Sequence, residues 1–404
     1  MPEFRPFKGF LPQGDFVKDV VLGPDEQWKA DSNRLVKEHN PWSFHHVMQA
    51  ADPSGDPEKL TEVCALAKTI FEHFVSQGVY AQADEPAYYL YQTSHKSLVQ
   101  TGLIGLSSLR DYNENRIKKH EHVREDRVQQ LNAFLSATEL YTTPVFLTYA
   151  PDKQVNDVLF TIKQTAPLID VKSGPVTSHQ IWRIDQSEHT SLLAKRFEVM
   201  EAFYIADGHH RAAVAAYHSQ SMGETNGHFL TILIPSNDLT IYPFYRRVHN
   251  NSALPDFEQL CKLLSEEYFL HPVLLDQMYY QYLPQQHFLL CNKNKTLLLQ
   301  PKQTIHHNNP LKDLDVSLLQ DNIISKILSI TNPKADKRLS FGPMSIKLEE
   351  FKSLLADADT LYIFVPRAPL PESIFEVADR GEVMPPKSTS FEPKIKSGLV
   401  LYRK

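Results

Sequence analysis

Apolar positions recur with helical spacing between Glu58 and Gln77, where Leu60, Val63, Cys64, Ala67, Ile70, Phe71, Phe74 and Val75 fall on one side. That spacing predicts a helix, and Gly78 is placed to end it. Aromatic and apolar runs at 87–92, 102–109 and 144–149 predict strands. Between them, 124–138 predicts an amphipathic helix carrying Val128, Leu131, Phe134 and Leu135. The middle of the chain reads as a mixed stretch over 155–165, a helix over 190–199, a short strand at 203–205, an Ala-rich helix and a strand at 229–234. Further strands are expected at 287–291, 296–300, 361–365 and 399–402, with helices at 316–328 and 347–356. The whole predicts an α+β protein of mixed sheets with packed helices. Three regions are expected: 1–150, 151–265 and 266–404.

Length and composition narrow the field. The 404 residues are 42% hydrophobic and 22% charged, a globular mix with room for two or three domains. Lys and Arg total 42 against 48 Asp and Glu, a net charge of −6 that argues against duplex DNA as a partner. The three cysteines, Cys64, Cys261 and Cys291, lie far apart in sequence and form no C-x-x-C pair. Neither a signal peptide nor a membrane span is legible, so a cytoplasmic protein is expected. Only 14 glycines occur, and no G-x-G-x-x-G or P-loop spacing is among them.

Four segments concentrate chemistry. The first is D-G-H-H-R, Asp207 to Arg211, between a short strand and the Ala-rich helix. Asp207 is expected to cap that helix, Gly208 to leave the backbone bare, and Arg211 to offer a bidentate fork to an anion. A helix dipole contributes about 0.3–1 kcal/mol, whereas micromolar binding takes about 8 kcal/mol. Other cations must therefore converge if a phosphorylated ligand is held there. His209 and His210 point about 100° apart on a helix, so one of the two is expected to share a face with the ligand. The structural alternative makes Asp207 a cap and both histidines packing residues.

The second segment runs from His120 to Arg127. In an extended chain His120 and His122 would share a side as a two-His metal face, with Glu121 opposite and available as a base; the alternative is a solvated lead-in to the next helix. The third is the Pro-stiffened tail from Met384 to Lys394, where Lys387, Ser388, Thr389 and Lys394 form a dense set of anion donors, or an ordinary polar tail. In the fourth, Asn40-Pro41 predicts a turn, with Trp42 and Phe44 buried and His45 and His46 polar.

These pieces together resemble the bacterial and archaeal domain-of-unknown-function 1015 family. The resemblance is carried by Arg5-Pro6-Phe7, Asn40-Pro41-x-Ser43-Phe44, Pro86 with Tyr89, Tyr91 and Gln92, Gly102 and Gly105, His120-Glu121 and Asp126-Arg127. It continues through Ala206 to Arg211, Met384 to Thr389, Pro393-Lys394 and Ser397-Gly398-Leu399. Where the family carries a His-Arg pair, this chain has Tyr245-Arg246-Arg247, in which Arg246 keeps the charge. A remoter similarity to the ParB and sulfiredoxin superfamily, through the strand, turn and helix around position 207, implies a related core with an additional α+β domain. In sulfiredoxin-like enzymes a Cys precedes the His-Arg pair; His209 stands there, so thiol chemistry is excluded.

Free-serine kinases of that superfamily use a Glu base and bind nucleotide phosphates at this turn. By analogy, the resemblance implies a kinase- or phosphatase-like enzyme of serine metabolism, acting on a small phosphorylated metabolite such as phosphoserine. Glu121, His120, His209, His210 and Asp207 would be catalytic. Gly208, Arg211, Lys387, Ser388, Thr389 and Lys394 would bind substrate, Asp207 would hold Mg²⁺, and ATP or ADP would be the cofactor. A non-catalytic metabolite-binding protein is the alternative reading, and ParB-like nucleic-acid binding a lesser one.

Overall fold

The computed structural model describes residues 1–21, 40–48, 57–275 and 282–404. The chain forms two compact units: Met1–Leu239 with Pro393–Lys404, and Thr240–Glu392. This division differs from the three regions expected, because strand pairing ignores position 150. Val145–Tyr149 lies beside His228–Pro235 in one sheet, and the last twelve residues return to the first unit.

The first unit is built on a mixed nine-stranded sheet. Eight strands run in the order Ile117–Lys118, Phe203–Asp207, Val145–Tyr149, His228–Pro235, Leu98–Ser108, Tyr88–His95, Thr177–Ile184 and Ile169–Lys172. The ninth, Phe4–Arg5, pairs with Leu98–Ser108. Both faces of the central strands are covered, so these read as near-continuous apolar runs without alternation. One face buries Tyr88, Leu90, Leu103, Leu147, Trp182, Phe203 and Leu233 in a single core. The expected helix at 58–77 is Leu60–Ser76, followed by Gly78 at φ +71°. The mixed stretch at 155–165 is the helix Lys153–Lys163, capped by Asp152 through the Val155 N–H at 2.9 Å.

The C-terminal segment is threaded into this unit. Tyr80 donates to the Gly398 carbonyl at 2.6 Å, Thr143 and Ser397 hydroxyls meet at 2.7 Å, and Phe10 pairs with Leu401. The strand expected at 399–402 is reduced to that bridge and Tyr402–Arg403. At the other end, Asn40-Pro41 makes the expected turn and Phe44 is fully buried. Trp42 is half-buried against His73 and Phe74, and His45, expected only to be polar, is buried.

The second unit carries a six-stranded sheet, in the order Tyr268–Pro272, Thr296–Pro301, Phe288–Cys291, Thr360–Pro366, Phe244–His249 and Leu339–Pro343. All its neighbours are antiparallel. The helix expected at 316–328 is an α-helix, Asp315–Leu319, that continues as a wider π-turn over Gln320–Ser325. The three cysteines are free thiols. Among the described residues, no helix is long and apolar enough to cross a membrane.

Candidate active site

The strand Phe203–Asp207 delivers Asp207 to the end of the sheet, and a register shift between Ile205 and Asp207 re-aims it. Gly208 then takes φ +95°, a left-handed conformation suited to glycine, and the helix His209–Ser221 begins. The expected cap is corrected here. Gly208 itself occupies the N-cap position, and no side chain caps the helix. The Asp207 carboxylate instead accepts from the Gly208 N–H and from Arg211 Nη2 at 3.3 Å.

Arg211 donates from Nη1 to the Pro144 carbonyl at 2.7 Å. Its guanidinium lies against Gly208, where an added Cβ would stand 2.8–3.0 Å from three of its atoms. Gly208→Ala is therefore expected to be strained twice, by φ and by contact. A left-handed residue with a side chain costs roughly 1–2 kcal/mol, and displacing Arg211 adds to it. Urea unfolding followed by tryptophan fluorescence checks this; an unchanged midpoint would contradict the geometry.

The segment from Lys119 to Arg124 packs onto the start of this helix, and the two histidines hold it there. His209 Nε2 accepts from the His120 backbone N–H at 3.4 Å, and His210 Nε2 accepts from the Arg124 N–H at 2.9 Å. Both rings thus serve one loop, although they leave the helix in different directions. An imidazole nitrogen that accepts is bare, so the His209 proton sits on Nδ1. Nδ1 faces the Glu121 carboxylate at 3.7 Å.

His120 is buried, at 2% exposure, edge-on to His209 with ring centroids 4.5 Å apart. Its Nδ1 is buried with no hydrogen-bond partner. His122, by contrast, is exposed, so the two-His face expected of an extended 120–122 does not form. Glu121 is on the His209 side, with its side chain 44% exposed.

Electrostatics sort these groups. Burial would raise the Asp207 carboxyl, but Lys394, Arg211 and His209 bring it below the ordinary carboxylate range. Lys394 therefore acts on Asp207 from the returning C-terminal segment. Burial lowers Arg211, with Asp207 opposing. Burial also lowers His120 to about 4, against the opposing charge of Asp207. His209 is driven well below its usual value by burial and by neighbouring His120. Both imidazoles are neutral at pH 7, and His120 is too weakly basic there to act as a general base.

Lys387, Ser388 and Thr389 belong to the second unit. Lys387 Nζ stands 5.4 Å from the Phe244 ring centroid, and Ser388 Oγ donates to the Pro385 carbonyl at 2.6 Å. Sequence reasoning did not foresee what fixes this segment. Buried Arg246 donates to the Phe244 carbonyl at 2.7 Å and the Lys387 carbonyl at 3.0 Å. Burial lowers Arg246 to about 9. The signal was its place beside Arg247 in a strand that reads as half apolar.

Mg²⁺ at Asp207 does not fit this arrangement. The carboxylate already answers Arg211 and Lys394, and among the described residues no three His, Cys, Asp or Glu side chains are grouped to hold a metal.

A family model, described as a protein of unknown function (DUF1015), matches residues 4–317. The chain belongs to that family. The match takes in the 120–121 and 206–211 motifs of this DUF1015 protein; the Met384–Thr389 resemblance lies beyond it. No curated protein matches the chain.

Solved structures resembling it include a free serine kinase variant in complex with AMP, at 15% identity and TM-score 0.37, over 74% of this chain and 89% of that one. Another is a conserved hypothetical protein from Pyrococcus furiosus, at 16% identity and TM-score 0.36, over 75% and 97%. A third is C-terminally truncated SbnI from Staphylococcus aureus, at 13% and 0.36, over 72% and 82%. At these scores the likeness carries no functional argument.

Proposed function

We propose that the Asp207–Arg211 turn is the active site of an enzyme that transfers or removes a phosphoryl group on a small metabolite. The observation that carries this reading is the convergence on one turn of two cations, Arg211 and Lys394, with a carboxylate at Glu121 backed by a neutral histidine. Phosphoryl transfer asks for positioned positive charge around the phosphate and a base for the attacking hydroxyl or water.

Arg211 has five N–H donors, of which two are directed at Pro144 and Asp207. The others, with Lys394 and the uncapped helix start, supply the anion site. Asp207 orients Arg211. Glu121 takes the proton of the attacking group, and the His209 Nδ1–H, 3.7 Å from that carboxylate, faces it across the site. His120 and His210 position the loop. No step is routed through a metal.

Serine and phosphoserine, with ATP or ADP as phosphate donor or acceptor, are the first substrates to examine. The test is phosphate release from a panel of phosphorylated metabolites, and ADP or ATP consumption with their dephosphorylated forms, by wild type and Asp207→Ala. Turnover lost in the variant supports the reading. Identical background rates across the panel would end it.

The non-catalytic alternative draws on one observation. His209 and His210 both accept from backbone amides, as packing residues would. It predicts thermal stabilisation by phosphorylated metabolites without turnover.

A further inference from the structure

In the second unit, well separated in sequence from the Asp207 turn, three strands bring together groups that the proposed reaction does not use. His249 ends Phe244–His249, Ser340 lies in Leu339–Pro343, and Asp359 immediately precedes Thr360–Pro366. The register sets Arg247 opposite Ser340, and the His249 N–H donates to the Arg338 carbonyl at 2.9 Å. Arg247 and His249, two residues apart, thus share a face with Ser340.

On that face His249 Nε2 is 2.7 Å from Ser340 Oγ, and His249 Nδ1 is 2.7 Å from Asp359 Oδ2. An ionised carboxylate only accepts, so Nδ1 carries the imidazole proton and Nε2 is bare toward the serine hydroxyl. This is the order of nucleophile, base and orienting acid. The arrangement is open to solvent, with the His249 side chain 22% and Asp359 61% exposed.

Two donors stand nearby. Arg247 binds Asp357 at 3.0 Å and reaches Asp359 at 4.0 Å, and its Nε is buried without a partner. Among the described residues, Leu339–Pro343 pairs with Phe244–His249 alone. With His249 bonded to Arg338 and ladder bonds alternating, the Phe341 N–H, one residue past Ser340, points away from the partner strand.

We propose that Ser340, His249 and Asp359 form a second active site, independent of the Asp207 turn, that hydrolyses small activated carboxylic esters. Ser340 Oγ adds to the ester carbonyl carbon while its proton passes to His249 Nε2. The ester C–O bond breaks, and the leaving alcohol takes that proton. Water then adds to the acyl-serine, giving a proton to His249 that returns to Ser340 as the acid departs. Asp359 stays ionised throughout and holds the ring. Small, activated substrates are expected because the three side chains stand at the surface.

The test uses the full chain in two measurements. Wild type should hydrolyse 4-nitrophenyl acetate, and Ser340→Ala and His249→Gln should each lower the rate by about 10²-fold or more, with thermal melts recorded for each variant. Independently of any variant, a fluorophosphonate probe should modify wild type at Ser340, read by peptide mass spectrometry. Label on the Ser340 peptide together with the rate losses supports the site. Absence of label at Ser340, or a Ser340→Ala rate equal to wild type, overturns it.

Discussion

Glu121→Gln is expected to lower kcat of the phosphoryl reaction by about 10²–10⁴-fold, the usual contribution of a positioned general base, with KM changed little. The reason lies in how the other bases are committed. His209 presents a protonated Nδ1 to Glu121, and its Nε2 is occupied by a backbone N–H. His120 titrates at about 4 and is sealed from solvent. His210 is turned to the Arg124 amide. That leaves the Glu121 carboxylate, partly exposed and with no change of bulk in the Gln variant. Steady-state kinetics on the most active substrate of the panel would decide it. A Glu121→Gln enzyme with wild-type kcat would remove the base from the mechanism, and a raised KM at unchanged kcat would make Glu121 a binding residue.

Acid should destabilise the first unit well before ordinary carboxylates titrate. His120 is lowered from 6.5 to about 4 by burial, and His179 to about 3 by burial and by Lys396. His179 is held neutral between the Tyr91 hydroxyl and Ser173 Oγ, both at 2.8 Å. The unfolded chain binds protons at these rings below about pH 6.5, and the folded chain does not until about pH 4 or lower. Stability is therefore whole above pH 6.5 and falls as pH drops toward 4. At 1.36 kcal/mol per pH unit of difference, His120 alone accounts for about 3 kcal/mol. Trp42 and Trp182 lie in the first unit and no tryptophan lies between 240 and 392, so fluorescence carries no signal from a tryptophan of the second unit. Urea midpoints at pH 7 and pH 4.5 should differ strongly, and His179→Gln should shrink the difference. A midpoint flat across that range would show that these rings are not buried neutral.

The sequence carried the local pattern well and the long-range pairing poorly. The helix at 60–76 was legible because its apolar stripe faces a core and Gly78 stops it. The strands at 88–95 and 98–108 were legible from aromatic and β-branched runs. The strand Thr177–Ile184 went unread, since Ser178, His179, Gln180 and Arg183 give it a polar composition. Ser178, His179 and Gln180 are satisfied across the sheet, by Ser94, Tyr91 and Gln92, which no single segment reveals.

At the site, the D-G-H-H-R turn announced itself by composition, whereas its proximity to Lys394, nearly two hundred residues on, depends on the path of the returning C-terminal segment. The roles shifted for geometric reasons. Asp207 turned toward Arg211 because Gly208 took the cap position, and His122 left the His120 side because the loop bends around His209. Extended-chain reasoning has no access to such a bend.

The second unit leaves and rejoins the chain through neighbouring strands: Thr240–Tyr242 runs antiparallel to Ser390–Glu392, with Thr240 opposite Glu392. Everything from 240 to 392 is thus a detour whose two ends lie side by side. A gene in which codon 239 is joined to codon 393 by a few small residues would still encode every strand of the nine-stranded sheet and the lysine that acts on Asp207. The architecture is that of a guest inserted into a host, with host residues on both sides of it.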